Sequence, residues 1–520
     1  MTERLLMTGR PPAPARRWAA AGTVCLGLFL LGMDLTVLNV AVPDLERRLH
    51  PTTAQVQWIV DGYALVLGGL VLATGGVTDR IGRRLAYVTG TTVCAAASAL
   101  GACAGTPGQV IAARAGMGAG AALLMPATLS ILTNLFPEPA LRRRAIALWT
   151  AVAGLGILTG PVVGGALVEQ HTWRAGFWIN LPVALPAVVL ALLLVPESRA
   201  PRTDRIDVAG TLLSAAALTT LVWAIIEAPT LGWTGPWVLA AFGVAAVLLG
   251  AFVLWQHRGP APLLPLSLLR DRRIGGGTTA LALMAFSLFG SLFVQTLYLQ
   301  GVLGFTPWQA GLRTLPQAVA MSAGAMVAPV LLSRYAEKLP VVLGLLAIAA
   351  AFAYLTGTTT DSTYSRLAVV QFVAGFGAGL AATAGTESVM SAITPQRAAL
   401  GSAINDATRQ VGAALGVAVQ GSLLATVYTD RLTARLGALA SVPGAHRPGA
   451  AGLPGAFDPG GGTLPPTART ALADAARRSF VDGMTTTAAV VAAVVLVTAV
   501  AAAWWLPGRR RQRRPTPRAR

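Results

Sequence analysis

Charge is scarce in this chain. Only 12% of its 520 residues are Asp, Glu, Lys or Arg, against about a quarter in a typical soluble globule. That shortfall excludes an ordinary water-soluble domain. Lysine is scarcer still, with Lys338 the single lysine among 40 basic residues; the Arg, Ala, Gly and Pro bias reads as the mark of a GC-rich genome. The cysteines number three, Cys25, Cys94 and Cys103, and all sit in apolar stretches. They read as small core residues, which excludes a disulfide-stapled scaffold. His50, His171, His257 and His446 are scattered, and that spacing offers no metal site. The sequence has no GxxxxGK[ST] run, no nucleophile elbow, no zinc motif and no GxGxxG after a strand. ATP use and the common catalytic frameworks therefore lack a signature, and neither an enzyme nor a cofactor is expected.

What the chain has instead is apolar residues, 54% of the total. They come in long blocks of Ala, Leu, Val and Gly. A helix crossing a bilayer needs roughly 20 such residues. Spans are read near 18–42, 55–78, 85–104, 108–134, 145–168, 175–195, 207–227, 236–256, 275–300, 311–333, 339–358, 366–391, 400–427 and 485–506. The fold class is thus an all-α polytopic membrane protein of about fourteen spans. The first apolar run, about 25 residues long, exceeds a signal-peptide core and reads as the first span.

A net charge of +19 raises the question of nucleic acid. The distribution answers it: arginines sit in short clusters between apolar blocks, with no basic face and no interleaved aromatics. With the N-terminus placed in the cytoplasm, the inner segments hold roughly 27 Lys and Arg against about 11 outside. The positive-inside rule then puts both ends in the cytoplasm. The basic tails 1–17 and 507–520 lie inside, and one long extracytoplasmic connection, 428–484, lies outside. Its Gly, Pro and Ala content predicts disorder. "ARTALADAARRSF" near its end has helical spacing and reads as a surface helix or a solvated linker.

The chain repeats itself weakly. "AGMGAGAA" (115–122) echoes "AGFGAGLA" (374–381), an offset of about 259 residues that carries span 1 onto span 9. The expected organisation is an N-terminal six-helix bundle, 18–195, an inserted pair, 207–256, and a C-terminal six-helix bundle, 275–506. Two repeated bundles with a site near the midplane is a secondary-transporter plan. The alternative is that Gly/Ala-rich helices resemble one another by composition.

Ionisable residues inside spans are costly and are functional candidates by default. Asp34 lies in span 1 within "GMDLTVLNVAVP", roughly 12 Å below the outer end, and Arg114 in span 4 is roughly 9 Å deep. The matching depths let them meet across helices. Such an acid can take a proton when the site opens and release it when Arg114 moves closer; the alternative is a static ion pair that orients helices. Span 5 carries "GILTGPVVGG", in which Gly156, Gly160 and Gly164 form one small-residue stripe beside Gly165. Pro161 removes a helix hydrogen bond. A tight, bendable contact of this kind suits an outer gate and equally suits ordinary packing.

"GGVTDRIGRR" (75–84) is a knot of charge between spans 2 and 3. Gly75 and Gly82 are expected to permit close backbone approach. Asp79 can brace a helix end, and Arg80, Arg83 and Arg84 can pair with acids or lipid phosphates as an inner gate. A simple positive-inside loop needs the arginines alone. Glu387 in span 12 reads equally as a substrate or second proton site and as a wetted helix end. Asp406 and Arg409 are placed to pair with each other. Glu227 and Asp61 read as interfacial. Trp58, Trp233, Trp237, Trp504 and Trp505 fit an aromatic belt.

At these residues the chain resembles the major facilitator superfamily, in its fourteen-span drug:proton antiporter branch. "GGVTDRIGRR" resembles the loop 2–3 signature, "RAGMGAGAA" the span 4 signature, and "GILTGPVVGG" the span 5 antiporter signature. "MDLTVLNVAVP", "WIVDGYAL", "WRAGFWINLP" and "YLQGVLGFTPWQAGLRTLP" resemble the branch's own motifs. The chain departs at Met117, where Gln is usual, and at Ala175 and Gly176, where larger residues are usual. The resemblance implies a major facilitator fold of two six-helix bundles plus two inserted helices. It also implies a bacterial cytoplasmic-membrane exporter that exchanges inward-moving protons for a lipophilic, often cationic, drug, with Asp34 coupling the proton. Its partners would be that small molecule, protons and membrane lipids, with no nucleic acid and a monomeric state. A dedicated exporter of one self-made metabolite fits the same residues. A lipid-acting enzyme would show clustered acids or histidines in a membrane-face loop, and a non-transporting sensor would lack Asp34.

Overall fold

The computed structural model describes residues 14–199, 207–259, 266–393, 398–438 and 466–507. Most of the two basic tails and the centre of the long connection lie outside the described residues, as do 200–206, 260–265 and 394–397. Every regular element among the described residues is helical. In chain order these are α1 (Pro14–Leu49), α2 (Thr53–Ile81), α3 (Arg83–Ala102), α4 (Pro107–Leu135), α5 (Pro139–Gln170), α6 (Ala175–Trp178), α7 (Asn180–Leu194), α8 (Val208–Leu231), α9 (Pro236–Arg258), α10 (Leu266–Leu269) and α11 (Arg272–Leu297). A π-helical turn, Tyr298–Val302, follows. Then come α12 (Pro307–Leu312), α13 (Leu315–Tyr335), α14 (Lys338–Leu355), α15 (Tyr364–Ala392), α16 (Ala398–Ala438) and α17 (Pro466–Trp505).

Fourteen of the helical stretches are long and apolar enough to cross a membrane, the number read from the sequence. Their outward faces are greasy: Leu100, Val247, Met326 and Trp504 are each at least 70% exposed. Such faces suit lipid and would not suit water. Helix starts follow local chemistry. Thr52 and Gln55 form a capping box at α2, and Thr106 with Gln109 forms another at α4, with Pro107 in the first turn. One end of the chain's longest connection differs from expectation: α16 continues to Ala438. At the other end the helical spacing of "ARTALADAARRSF" is matched, since α17 begins at Pro466. Arg435 joins the two helices by donating to Ser479 and Asp482, each at 2.8 Å.

The helices sort into two compact units. The first comprises Met1–Ala215 with Phe305–Leu312; the second comprises Ala216–Gly304 with Arg313–Arg520. In the first, α1 packs on α5, α2 and α3 pack on α4, and α7 packs on α1 and α3. In the second, α11 packs on α16, α13 and α14 pack on α15, and α17 packs on α14 and α11.

Candidate functional site: a buried ion pair in the first unit

Glycine lets α4 reach its neighbours. A Cβ at Gly118 would collide with the carbonyl of Tyr63 on α2, and one at Gly120 would collide with Gly90 and Cys94 on α3. One turn before Gly118, this close approach turns Arg114 toward α1 and α2. Arg114 and Asp34 are 2% and 4% exposed. The guanidinium Nη1 lies 3.0 Å from Asp34 Oδ2 and also donates to the Asp34 carbonyl at 3.4 Å, while Nε donates to the Ile59 carbonyl at 3.1 Å. Its flat face sits 4.6 Å from the centre of the Tyr63 ring. Met117 therefore leaves Arg114 well supplied with partners: an acid, backbone carbonyls and an aromatic face.

The second carboxylate oxygen is held from α7. Asn180 Nδ2 donates to Asp34 Oδ1 at 3.2 Å and to Ser98 Oγ at 2.9 Å, and Ser98 donates to the Phe177 carbonyl at 2.7 Å. Thus α1, α2, α3, α4 and α7 all converge on one carboxylate. A void lined by Asp34, Tyr63, Cys94, Met117 and Asn180 lies beside it, with room for about one water molecule. A buried acid with a matched cation, a fixed amide donor and adjoining space can hold or exchange a proton.

Asp61 corrects the sequence reading. It is not interfacial: it is 1% exposed, within electrostatic reach of Arg114, and neither carboxylate oxygen has a hydrogen-bond partner. Tyr63, fully buried, likewise leaves its hydroxyl without one. The sequence reading missed Asn180 and Tyr63 altogether, although both stand in stretches it singled out.

The glycine stripe of α5 faces α1. Gly156 abuts Gly32 and the Phe29 carbonyl, Gly160 abuts Thr36 and the Met33 carbonyl, and Gly164 abuts Val37. Thr36 Oγ1 donates across the seam to the Ile157 carbonyl at 3.1 Å. Gly165 and Pro161 instead face α12, meeting Pro307 and Gly311 respectively. Trp308 N donates to Glu169 there at 3.1 Å.

The loop 2–3 motif is mostly helix. Gly75, Asp79 and Arg80 belong to the end of α2, and Gly82 alone separates α2 from α3 with φ +113°, a conformation that favours glycine. Close approach is confirmed at Gly82, whose absent Cβ would strike the Glu197 carboxylate. At Gly75 nothing lies within 4 Å, so that half of the expectation fails. Glu197 accepts from the Arg84 backbone N–H at 3.2 Å and lies 3.7 Å from Arg84 Nε. Arg83 N donates to the Ser198 carbonyl at 3.0 Å. The placement of the Asp79 side chain lies outside what is described. Glu387, on α15, is exposed and belongs to the second unit. Asp406 and Arg409 pair as expected, at 2.8 Å. Cys103, expected in a core, is exposed. The described residues contain no group of three or more His, Cys, Asp or Glu placed to hold a metal.

Comparison with known proteins places the whole chain among transporters. The chain is 32% identical over 480 residues to a tetracenomycin C resistance and export protein of Streptomyces glaucescens, covering 90% of this chain and 88% of that protein. It is also 32% identical over 471 residues to the multidrug efflux pump LfrA of Mycolicibacterium smegmatis, covering 91% and 92%. The fold matches the crystal structure of an inward-facing bacterial homologue of the human lysosomal transporter Spinster, with a TM-score of 0.62 at 16% identity over 94% of this chain and 98% of that one. Residues 24–417 match the family model described as Major Facilitator Superfamily. A fourteen-span helical chain with this match is a multi-pass membrane protein that belongs to the major facilitator superfamily.

Proposed function

We propose that this chain is a proton-coupled antiporter that exports lipophilic, often cationic, drugs or antibiotics across the bacterial cytoplasmic membrane. The observation that carries the reading is the Asp34–Arg114 pair, 3.0 Å apart and closed off from solvent. Asp34 takes the proton, and Arg114 competes for the carboxylate and favours its release. Asn180 keeps the carboxylate oriented in both conditions. The relatives' names, an export protein and an efflux pump, support the cargo class.

The rest of the molecule divides into supporting roles. Arg84 and Glu197, together with Asp79, Arg80 and Arg83, form an inner latch. The Gly156–Gly160–Gly164 stripe, Pro161 and Gly165 form an outer seal that bends. Spans 1–6 and 9–14 are the two bundles, with α8 and α9 inserted between them. Both termini are cytoplasmic, the exporter works as a monomer, and Glu387 offers a second acid for cargo or proton. The driving force suffices: one charge crossing 100 mV is worth about 2.3 kcal/mol, which sustains a gradient of roughly fifty-fold per proton.

The test is a panel of dyes and antibiotics presented to everted membrane vesicles containing the full chain, with and without an uncoupler. Uphill uptake that collapses with the uncoupler, and that Asp34→Asn abolishes at unchanged membrane content, is the expected result. Undiminished uphill uptake by Asp34→Asn removes Asp34 from the mechanism. A second reading, export of one self-made metabolite, is favoured by the relative named for tetracenomycin C alone; uptake of a single member of the panel would select it.

A further inference from the structure

The Asp34 carboxylate is ringed by donors. Arg114 Nη1 donates to Oδ2, and Asn180 Nδ2 donates to Oδ1. Neither group can accept a proton's hydrogen bond there. A guanidinium carries donors only. Both protons of Asn180 Nδ2 are spent, one on Asp34 and one on Ser98 Oγ. This suits a charged carboxylate. A protonated one carries an O–H that needs an acceptor, and neither of these side chains supplies it.

Two more polar atoms lie close by with nothing to bond. Tyr63 is 0% exposed and Asn180 1%. Among the described residues, the Tyr63 hydroxyl and Asn180 Oδ1 have no hydrogen-bond partner. Each such atom in an apolar interior costs free energy. The fold holds both residues at one place. Arg114 stacks on the Tyr63 ring, and Tyr63 lies within electrostatic reach of Asp34. Asp34, Tyr63 and Asn180 all line the single void that adjoins the ion pair, and Leu30, Leu31, Cys94 and Met117 close it. The titratable groups that face Asp34 are Arg114 from α4, Tyr63 from α2 and Cys94 from α3. Asp61 acts on Arg114, α7 presents the neutral Asn180, and α5 presents its glycines.

We propose that this void is a binding site for one water molecule, which serves as the hydrogen-bond partner of the proton on Asp34. Buried waters typically make about three bonds to groups otherwise unsatisfied, and this site offers three. With Asp34 charged, the water donates to the carboxylate and to Asn180 Oδ1, and accepts from the Tyr63 hydroxyl. With Asp34 protonated, the water accepts from the carboxyl O–H and from Tyr63, and still donates to Asn180 Oδ1. Three hydrogen bonds stand in both conditions, and no bond within the water is broken. Tyr63 and Asn180 are thus positioning residues: they hold the water in place while it exchanges one donated bond for one accepted. The site deepens the proton-coupling reading above and rests on it.

The test is acid-minus-alkaline infrared difference spectroscopy of the full-length protein in lipid nanodiscs, repeated in water enriched in the heavy oxygen isotope. The expected spectrum has a carboxylic C=O band that Asp34→Asn removes. With it comes a water O–H band that the heavy isotope shifts. Cys94→Val adds about one methyl group to the wall of the void and should abolish the water band. Tyr63→Phe keeps the ring over Arg114, removes only the hydroxyl, and should shift that band. Both variants should retain the Asp34 carboxyl band. An Asp34 band with no isotope-sensitive water band, or a water band that neither variant alters, overturns the site and leaves the proton-coupling reading standing. Wild-type protein without an Asp34 carboxyl band overturns that reading, and the site with it.

Discussion

At the scale of single residues, the ion pair has an asymmetry that a mutation series can expose. Removing one partner of a buried pair strands the other charge, at a cost of about 3–5 kcal/mol, whereas removing both is often near neutral. Arg114→Leu leaves Asp34 and the already unpartnered Asp61 facing an apolar interior. It should therefore lower the unfolding temperature in detergent by more than Asp34→Asn/Arg114→Leu does. Equal losses in the two variants would mean that the pair's geometry matters less than the bulk of the arginine. Asp34 and Arg114 were legible in the sequence because an ionisable group inside an apolar block has so few innocent explanations. Asn180 was not, since a neutral amide raises no alarm and its partner is 146 residues away. Asp61 was misread because distance from the end of a span measures depth along the helix and says nothing about which neighbours cover it.

At the scale of helices, the glycines of α5 differ sharply in what they face. A Cβ at Gly160 would collide with Thr36 and lie 2.8 Å from the Met33 carbonyl, while one at Gly154 on the same helix meets nothing within 4 Å. Gly160→Ala must push α1 from α5 and should destabilise by about 1–3 kcal/mol, as overpacking does. Gly154→Ala should be neutral or stabilise by up to about 1 kcal/mol through helix propensity. Thermal unfolding of the two variants checks the pair, and similar effects would deny that the stripe is a contact. The four-residue spacing made this stripe readable in advance. The same reasoning failed at Gly75, where a motif position suggested close approach and the helix is open. Spacing within one helix is written in the sequence; the distance to the next helix is written in both.

At the scale of the whole molecule, the proposed topology, with both termini cytoplasmic, is one that the chain's own cysteines can report. With both termini inside, α3 runs outward from the Arg83–Arg84 loop, so its C-cap residue Cys103 faces the outside. Cys103 is exposed, while Cys25 and Cys94 are buried. The wild-type protein thus carries one accessible thiol, placed to report sidedness without any engineered site. A membrane-impermeant maleimide added to intact cells should label the protein, and Cys103→Ser should abolish that labelling. Everted vesicles should resist the reagent until they are permeabilised. The reverse pattern, protection in cells and labelling of everted vesicles, would turn the molecule over.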